Sequence, residues 1–221
     1  AWYAIQHALL EGVYELAGAQ QLEGAGDLTE HDGREASELV VVLVVDNLSP
    51  FTPNILECLG KLQVPYVYKR FSEVSDSDLA ACDRVILSGR RKNSREINAA
   101  NSKIVKRCYG EGKALLGICY GAEIIALTMG GSLRKMSAPV QGSTNLSVSG
   151  QNPLTGSKKT VSMYESHRYC VARLPVDFRS LASSQQCEHE IFASGKIFGT
   201  QFHPEKSGPD GIDLLYNFTK I

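Results

Sequence analysis

Nowhere in the 221 residues is there a run approaching the about 18 consecutive apolar residues that a membrane-spanning helix requires. Net charge is equally scarce. The 23 basic and 24 acidic side chains leave −1 at neutral pH, which argues against a protein that works by neutralising phosphates along nucleic acid. Internal repeats and low-complexity tracts are also missing. Cys58, Cys82, Cys108, Cys119, Cys170 and Cys187 are scattered without C-x-x-C or zinc spacing, so reduced thiols of a cytoplasmic enzyme explain them better than a disulfide frame. His7, His31 and His189 carry no partner spacing, and no metal site is expected. No basic segment precedes the first apolar residues, which makes a signal peptide a poor fit.

What is present divides unevenly. Over residues 1–22, Trp2, Ile5, Leu9, Val13 and Leu16 fall at helical spacing and predict an amphipathic helix. Such a helix packs on the main domain or on a twin copy of the chain, which would make a homodimer; a partner-docking helix is the alternative. Residues 23–38 mix Gly24, Gly26 and Gly33 with acidic side chains and read as a solvated linker. The domain proper is expected over 39–221.

In that domain apolar runs alternate with helical patterns. Strands are expected over Leu39–Val45, Val64–Tyr68, Val85–Leu87 and Ala114–Ile118. Helices are expected from Ser49-Pro50 to about Gly60, over Asp76–Cys82, over Ile97–Tyr109, and from the Cys119 turn to Met129. This alternation predicts an α/β fold, a doubly wound and mostly parallel sheet. From Gly131 onward short alternating runs suggest a small antiparallel sheet, with a hairpin turn at Gly195-Lys196 and a closing helix over Gly211–Phe218.

The stretch Ala114–Leu127 concentrates the chemistry. An apolar strand stops at Cys119 and a helix begins at once, with Gly117 and Gly121 on either side. G-x-C-x-G is the cysteine form of a nucleophile elbow, in which small residues let strand and helix close around a strained turn. A helix N-terminus beneath the sulfur is expected to favour the thiolate. Further on, Ile197–Phe202 delivers His203, and Glu205 follows across Pro204. A cysteine nucleophile needs a base and a group to orient that base, and a His-Pro-Glu turn supplies both.

Gly117-Ile-Cys-Tyr-Gly121 combined with Gln201-Phe-His-Pro-Glu205 resembles the class I (triad) glutamine amidotransferases, over roughly residues 39–221. The resemblance implies a flavodoxin-like core in which Cys119, His203 and Glu205 hydrolyse L-glutamine to glutamate and ammonia, without a cofactor. It implies oxyanion donors at Gly89 and Tyr120, and glutamine-holding backbone groups at Ser166 and His167. Two positions depart from the family pattern. Arg90-Arg91-Lys92 follows Gly89 where a second glycine is usual, and these three cations read as a solvated basic loop, with a site for an anionic substrate or a partner's acidic surface as the alternative. Glu123 replaces a glutamine, which places a carboxylate where it either binds the substrate's α-ammonium or repels its α-carboxylate. The length implies that a separate synthase subunit accepts the ammonia. Tyr164-Glu-Ser-His167 with Leu174-Pro-Val-Asp-Phe178 looks most like the glutaminase subunit of two-subunit GMP synthase. Asp46-Asn47 with Phe51-Thr52 is similar to the anthranilate and aminodeoxychorismate synthase glutaminases, and the His203–Gly208 ending to that of imidazole glycerol phosphate synthase. A repurposed, non-catalytic binding subunit is the alternative of another class, and a cysteine peptidase or isomerase on the same elbow ranks last. No nucleic-acid or membrane partner is expected.

Overall fold

The structure, a computed structural model, describes residues 40–221; the helix and linker expected over 1–38 lie outside the described residues. In chain order the elements are β1 (Val42–Asn47), α1 (Thr52–Lys61), β2 (Tyr66–Arg70), α2 (Asp76–Ala81), β3 (Arg84–Arg90), α3 (Arg95–Glu111), β4 (Ala114–Ile118) and α4 (Tyr120–Thr128). They continue with β5 (Ser132–Val148), β6 (Thr160–Arg173), β7 (Arg179–Ser183), β8 (Ile191–Ser194), β9 (Ile197–Thr200), a 3-10 turn (Pro204–Lys206) and α5 (Gly208–Phe218).

The strands form one sheet in the order β2-β1-β3-β4-β9-β8-β7-β5-β6. The first five are parallel, and from β9 onward every pairing is antiparallel. The antiparallel strands therefore extend the α/β sheet on one side instead of standing as a small sheet of their own. β9 is the hinge of that arrangement, parallel to β4 and antiparallel to β8 across the Gly195-Lys196 turn, where Gly195 takes a φ of +55°.

Each central strand sends alternate residues to opposite faces, and both faces are dry. Val42, Val44, Ile86, Leu116, Ile118 and Phe198 meet Ile55 and Leu59 of α1 and Leu214, Leu215 and Phe218 of α5. Leu43, Val45, Val85, Leu87 and Leu115 meet Leu79 of α2, Val105 of α3 and Ile125 of α4. Burial on both faces is why these strands read as unbroken β-branched and leucine runs. At about 25 cal/mol per Å² of apolar surface, such two-sided packing supplies most of the drive to fold.

Polar residues cluster at the C-terminal ends of β1 and β3. The Asn47 N–H donates to Ser88 Oγ (2.9 Å) and its side-chain amide to the Ser88 carbonyl (3.0 Å). Asn101 of α3 donates to Asn47 Oδ1 at 2.6 Å. All three residues are fully buried, so this network fixes the backbone that runs into Gly89.

Candidate active site

Cys119 sits between β4 and α4 with φ +54° and ψ −104°, a conformation that side-chain-bearing residues rarely adopt. The strain is held in place by close packing. A Cβ on Gly117 would lie 2.3 Å from the Gly121 carbonyl oxygen, and one on Gly121 would lie 2.5 Å from that of Leu87. The Cys119 N–H donates to the Thr200 carbonyl (2.7 Å), and its own carbonyl accepts from Ala122 and Glu123. The elbow expected from G-x-C-x-G is thus formed, and it is pinned to β9.

β9 leads directly to His203. The His203 N–H donates to the Tyr164 carbonyl at 2.8 Å, and Nδ1 lies 2.7 Å from Glu205 Oε1. Phe51 meets the imidazole edge to face at 4.8 Å between centroids. A Cβ on Gly89 would stand 3.3 Å from His203 Cε1 and 3.8 Å from Cys119 Cβ. Gly89 therefore lies across both side chains, and its lack of a side chain keeps the space between them open. With Nδ1 committed to Glu205, Nε2 is the ring nitrogen left for proton exchange.

Burial pushes the Cys119 thiol well above its ordinary range, and the carboxylates of Glu123, Glu205 and Glu165 add to the effect; only the Tyr120 N–H pulls the other way. The expectation that the helix terminus favours a resting thiolate is corrected here. Desolvation and three nearby carboxylates outweigh a single N–H donor. That N–H does point at the sulfur, where the resemblance places an oxyanion donor.

Glu123 is buried against the same pocket. Burial raises its carboxyl to about 7, opposed by Arg90, His167 and Gln201. Arg90 does not belong to a solvated loop. Its guanidinium stacks on the Tyr120 ring, 3.9 Å from the centroid, and donates to Asn98 Oδ1 at 2.6 Å. The Tyr120 hydroxyl donates to the same oxygen at 3.0 Å. Only Arg91 and Lys92 of that trio are exposed. Arg90 thus ties the end of β3 beyond Gly89 to Tyr120 at the start of α4.

Ser166 and His167 part company across the pleat. The Ser166 carbonyl lies 4.0 Å from Cys119 Sγ, whereas the His167 ring is buried, with Nε2 2.6 Å from Glu165 Oε2 and Nδ1 donating to the Tyr169 carbonyl at 2.8 Å. Glu190 completes a buried group whose ligand-type atoms all lie within 4.8 Å of one another. Sequence spacing does not reveal this group. Glu165 and His167 two apart on a strand signal a shared face, but nothing local announces that Glu190 will meet them.

The turn before Phe51 does more than start a helix, which is all that its sequence announces. Asp46 Oδ1 accepts from the Leu48 and Ser49 N–H groups and from the Thr52 hydroxyl, and Oδ2 from the Tyr68 hydroxyl. That turn is what delivers Phe51 to His203. No helix among the described residues is long and apolar enough to cross a membrane.

Comparison with known proteins agrees with this geometry. Residues 43–221 match the glutamine amidotransferase class-I family. The A-subunit of GMP synthase (glutamine-hydrolyzing) from Thermoplasma acidophilum is 32% identical over 83% of this chain and 93% of its own length. That of Sulfolobus acidocaldarius is 40% identical over 48% of this chain, an alignment spanning 58% of that relative. A crystal structure from Thermoplasma acidophilum, of a protein assigned as a GMP synthase A-subunit, superposes with a TM-score of 0.74 at 31% identity, over 83% of this chain and 94% of that one. A glutamine amidotransferase from Thermotoga maritima shares the fold with a TM-score of 0.66 at 19% identity, over 76% and 77% of the two chains.

Proposed function

The chain belongs to the glutamine amidotransferase class-I family, and from that premise we propose that it hydrolyses L-glutamine to glutamate and ammonia through Cys119, His203 and Glu205. The ammonia passes to a separate synthase subunit of the GMP synthase type, working in the cytoplasm. The observation that carries the reading is the strained Cys119 elbow facing a buried His203–Glu205 pair across the bare Cα of Gly89. Similarity to relatives named as GMP synthase A-subunits supports the choice of acceptor over the anthranilate and imidazole glycerol phosphate branches.

In this mechanism His203 Nε2 takes the thiol proton as Cys119 Sγ attacks the side-chain amide carbon. The carbonyl oxygen becomes an oxyanion and is met by the Tyr120 N–H, with a second donor from the strand end at Gly89. One such donor is worth about 10²–10³ in rate. Collapse breaks the C–N bond, and His203 returns its proton to the leaving ammonia. Water then gives a proton to His203 and attacks the thioester, releasing glutamate and restoring the thiol. Ser166 and His167 hold the α-carboxylate through their backbone groups. Glu123, ionising near neutrality, receives the α-ammonium.

Cys119→Ser is expected to fold normally and to lose glutamate release by about 10³-fold or more. Circular dichroism and a coupled glutamate assay on the purified variant check this. Wild-type turnover in the serine variant would sink the assignment.

A further inference from the structure

The β5–β6 hairpin contributes Ser166 to the site, yet it pairs with the rest of the sheet through two residue pairs, Ser147 with Ser183 and Val148 with Ala182. Those pairs lie several residues along the hairpin from Ser166. Nearer the site, the Ser162 and Tyr164 N–H groups donate to Asp210 Oδ2 and Ser207 Oγ, and the Tyr164 carbonyl accepts from the His203 N–H. Immediately beyond Tyr164 comes the buried group of Glu165, His167 and Glu190.

Glu190 stands just ahead of β8. Its N–H donates to the Ala182 carbonyl, and its carbonyl accepts from the Gln201 N–H at 2.9 Å, two residues before His203. Glu190 Oε1 accepts from the Ser184 hydroxyl at 2.7 Å. That leaves Glu190 Oε2 and Glu165 Oε1, both buried and both without a donor, in side chains that are 1% exposed. The two carboxyls belong to one buried group whose ligand-type atoms lie within 4.8 Å of one another, and two ionised carboxylates that close in a dry interior repel and lack solvation. One proton between them removes both defects. It also balances the charge, because His167 already holds a proton on Nδ1 for the Tyr169 carbonyl and shares another with Glu165 through Nε2. A divalent cation fits less well, since both ring nitrogens are committed.

We propose that Glu190 is a positioning residue for glutamine: one proton shared between its carboxyl and that of Glu165 clamps β6 to the strand leading to His203, and so fixes the Ser166 carbonyl beside Cys119. This rests on the glutaminase reading. The groups facing the clamp are His167 on β6, Ser184 and Cys187 in the segment before β8, and, through His167, Glu123 of α4. Burial and the Glu165 charge together raise Glu190 to about 8. The clamp is therefore closed at neutral pH and opens as pH climbs through that value.

The test measures glutamine KM and kcat from pH 6 to 9 for the full chain, with its synthase subunit where turnover requires one. Wild-type KM should rise about fivefold or more above pH 8 with kcat nearly level. Glu190→Gln, whose amide donates the same hydrogen bond and has no proton to lose, should lack the rise above pH 8 and keep only the change near pH 7 that Glu123 gives to both proteins. Glu190→Ala should raise KM roughly tenfold at pH 7. Infrared spectra of glutamate-labelled protein supply a readout independent of turnover. Glu123→Gln removes the other buried carboxyl that holds a proton near neutrality; in that background a protonated-carboxyl band at pH 7 should persist when Cys119→Ser is added and vanish when Glu190→Gln is added.

The proposal is overturned if the glutamine variant titrates like wild type, if that band is missing, or if a stoichiometric divalent metal occupies the group. The band in the Glu123→Gln background, with no hydrolysis by the wild-type protein, would sink the glutaminase reading and leave the shared proton standing.

Discussion

At Cys119 two demands oppose each other. The thiol must ionise to react, yet burial and the carboxylates of Glu123, Glu205 and Glu165 hold its proton on. In the proposed mechanism His203 takes that proton, and the 2.7 Å contact of Nδ1 with Glu205 fixes the orientation of its imidazole. Glu205→Gln keeps the shape but weakens that orientation, and kcat should fall about 10²-fold or more with KM within about twofold; steady-state kinetics at neutral pH decide it. Glu123 makes a separate prediction. Its folded value of about 7 lies above the ordinary 4.5, so folding takes up a proton between those values. The stability tied to its protonated form is complete below about 4.5 and is lost as pH rises through 7. Urea titrations of Glu123→Gln should show a flatter pH dependence than wild type from about pH 5 to 8, with a gain relative to wild type at the upper end. Parallel curves would contradict the assignment.

Among the elements, the β4–elbow–α4 unit bears the closest packing. Gly121→Ala would place a methyl 2.5 Å from the Leu87 carbonyl oxygen, backbone that cannot swing aside. Stability should fall by about 1–3 kcal/mol, read from denaturant midpoints, with activity lost out of proportion because the elbow is displaced. This unit is also the most legible part of the sequence. β4 spans the expected Ala114–Ile118 and the helix follows at once, because two-sided burial writes itself as an unbroken apolar run ended by glycines. The β5–β6 hairpin is legible only in fragments. Leu146–Val148 and Thr160–Tyr164 stand out, while the rest of Ser132–Val148 and Thr160–Arg173 carries polar residues on exposed faces and a register shift between Lys135 and Val140. β3 likewise runs past Leu87 to Arg90, since Ser88 and Gly89 are buried by the Asn47–Ser88–Asn101 network and not by apolar packing. The elbow at Cys119 and the His203–Glu205 pair can be read from two short motifs. The Glu165–Glu190 contact cannot, because it joins strands that are not neighbours in the sheet.

Taken whole, the domain brings its parallel half and its antiparallel half together at the site. β4 supplies Cys119 and β9 leads into His203, the ordinary location for chemistry at the C-terminal ends of parallel strands. The antiparallel extension then returns β6 across that edge, with Tyr164 at His203 and Ser166 at Cys119. Cys119 and the Ser166 carbonyl beside it thus come from opposite halves of one sheet. The most direct measurement is glutamate and ammonia release from L-glutamine by the purified chain, alone and with a GMP synthase-type synthase partner, beside Cys119→Ser. The account predicts equimolar release that depends on Cys119 and rises when the synthase partner is added. Folded protein that releases no glutamate in either combination would contradict it.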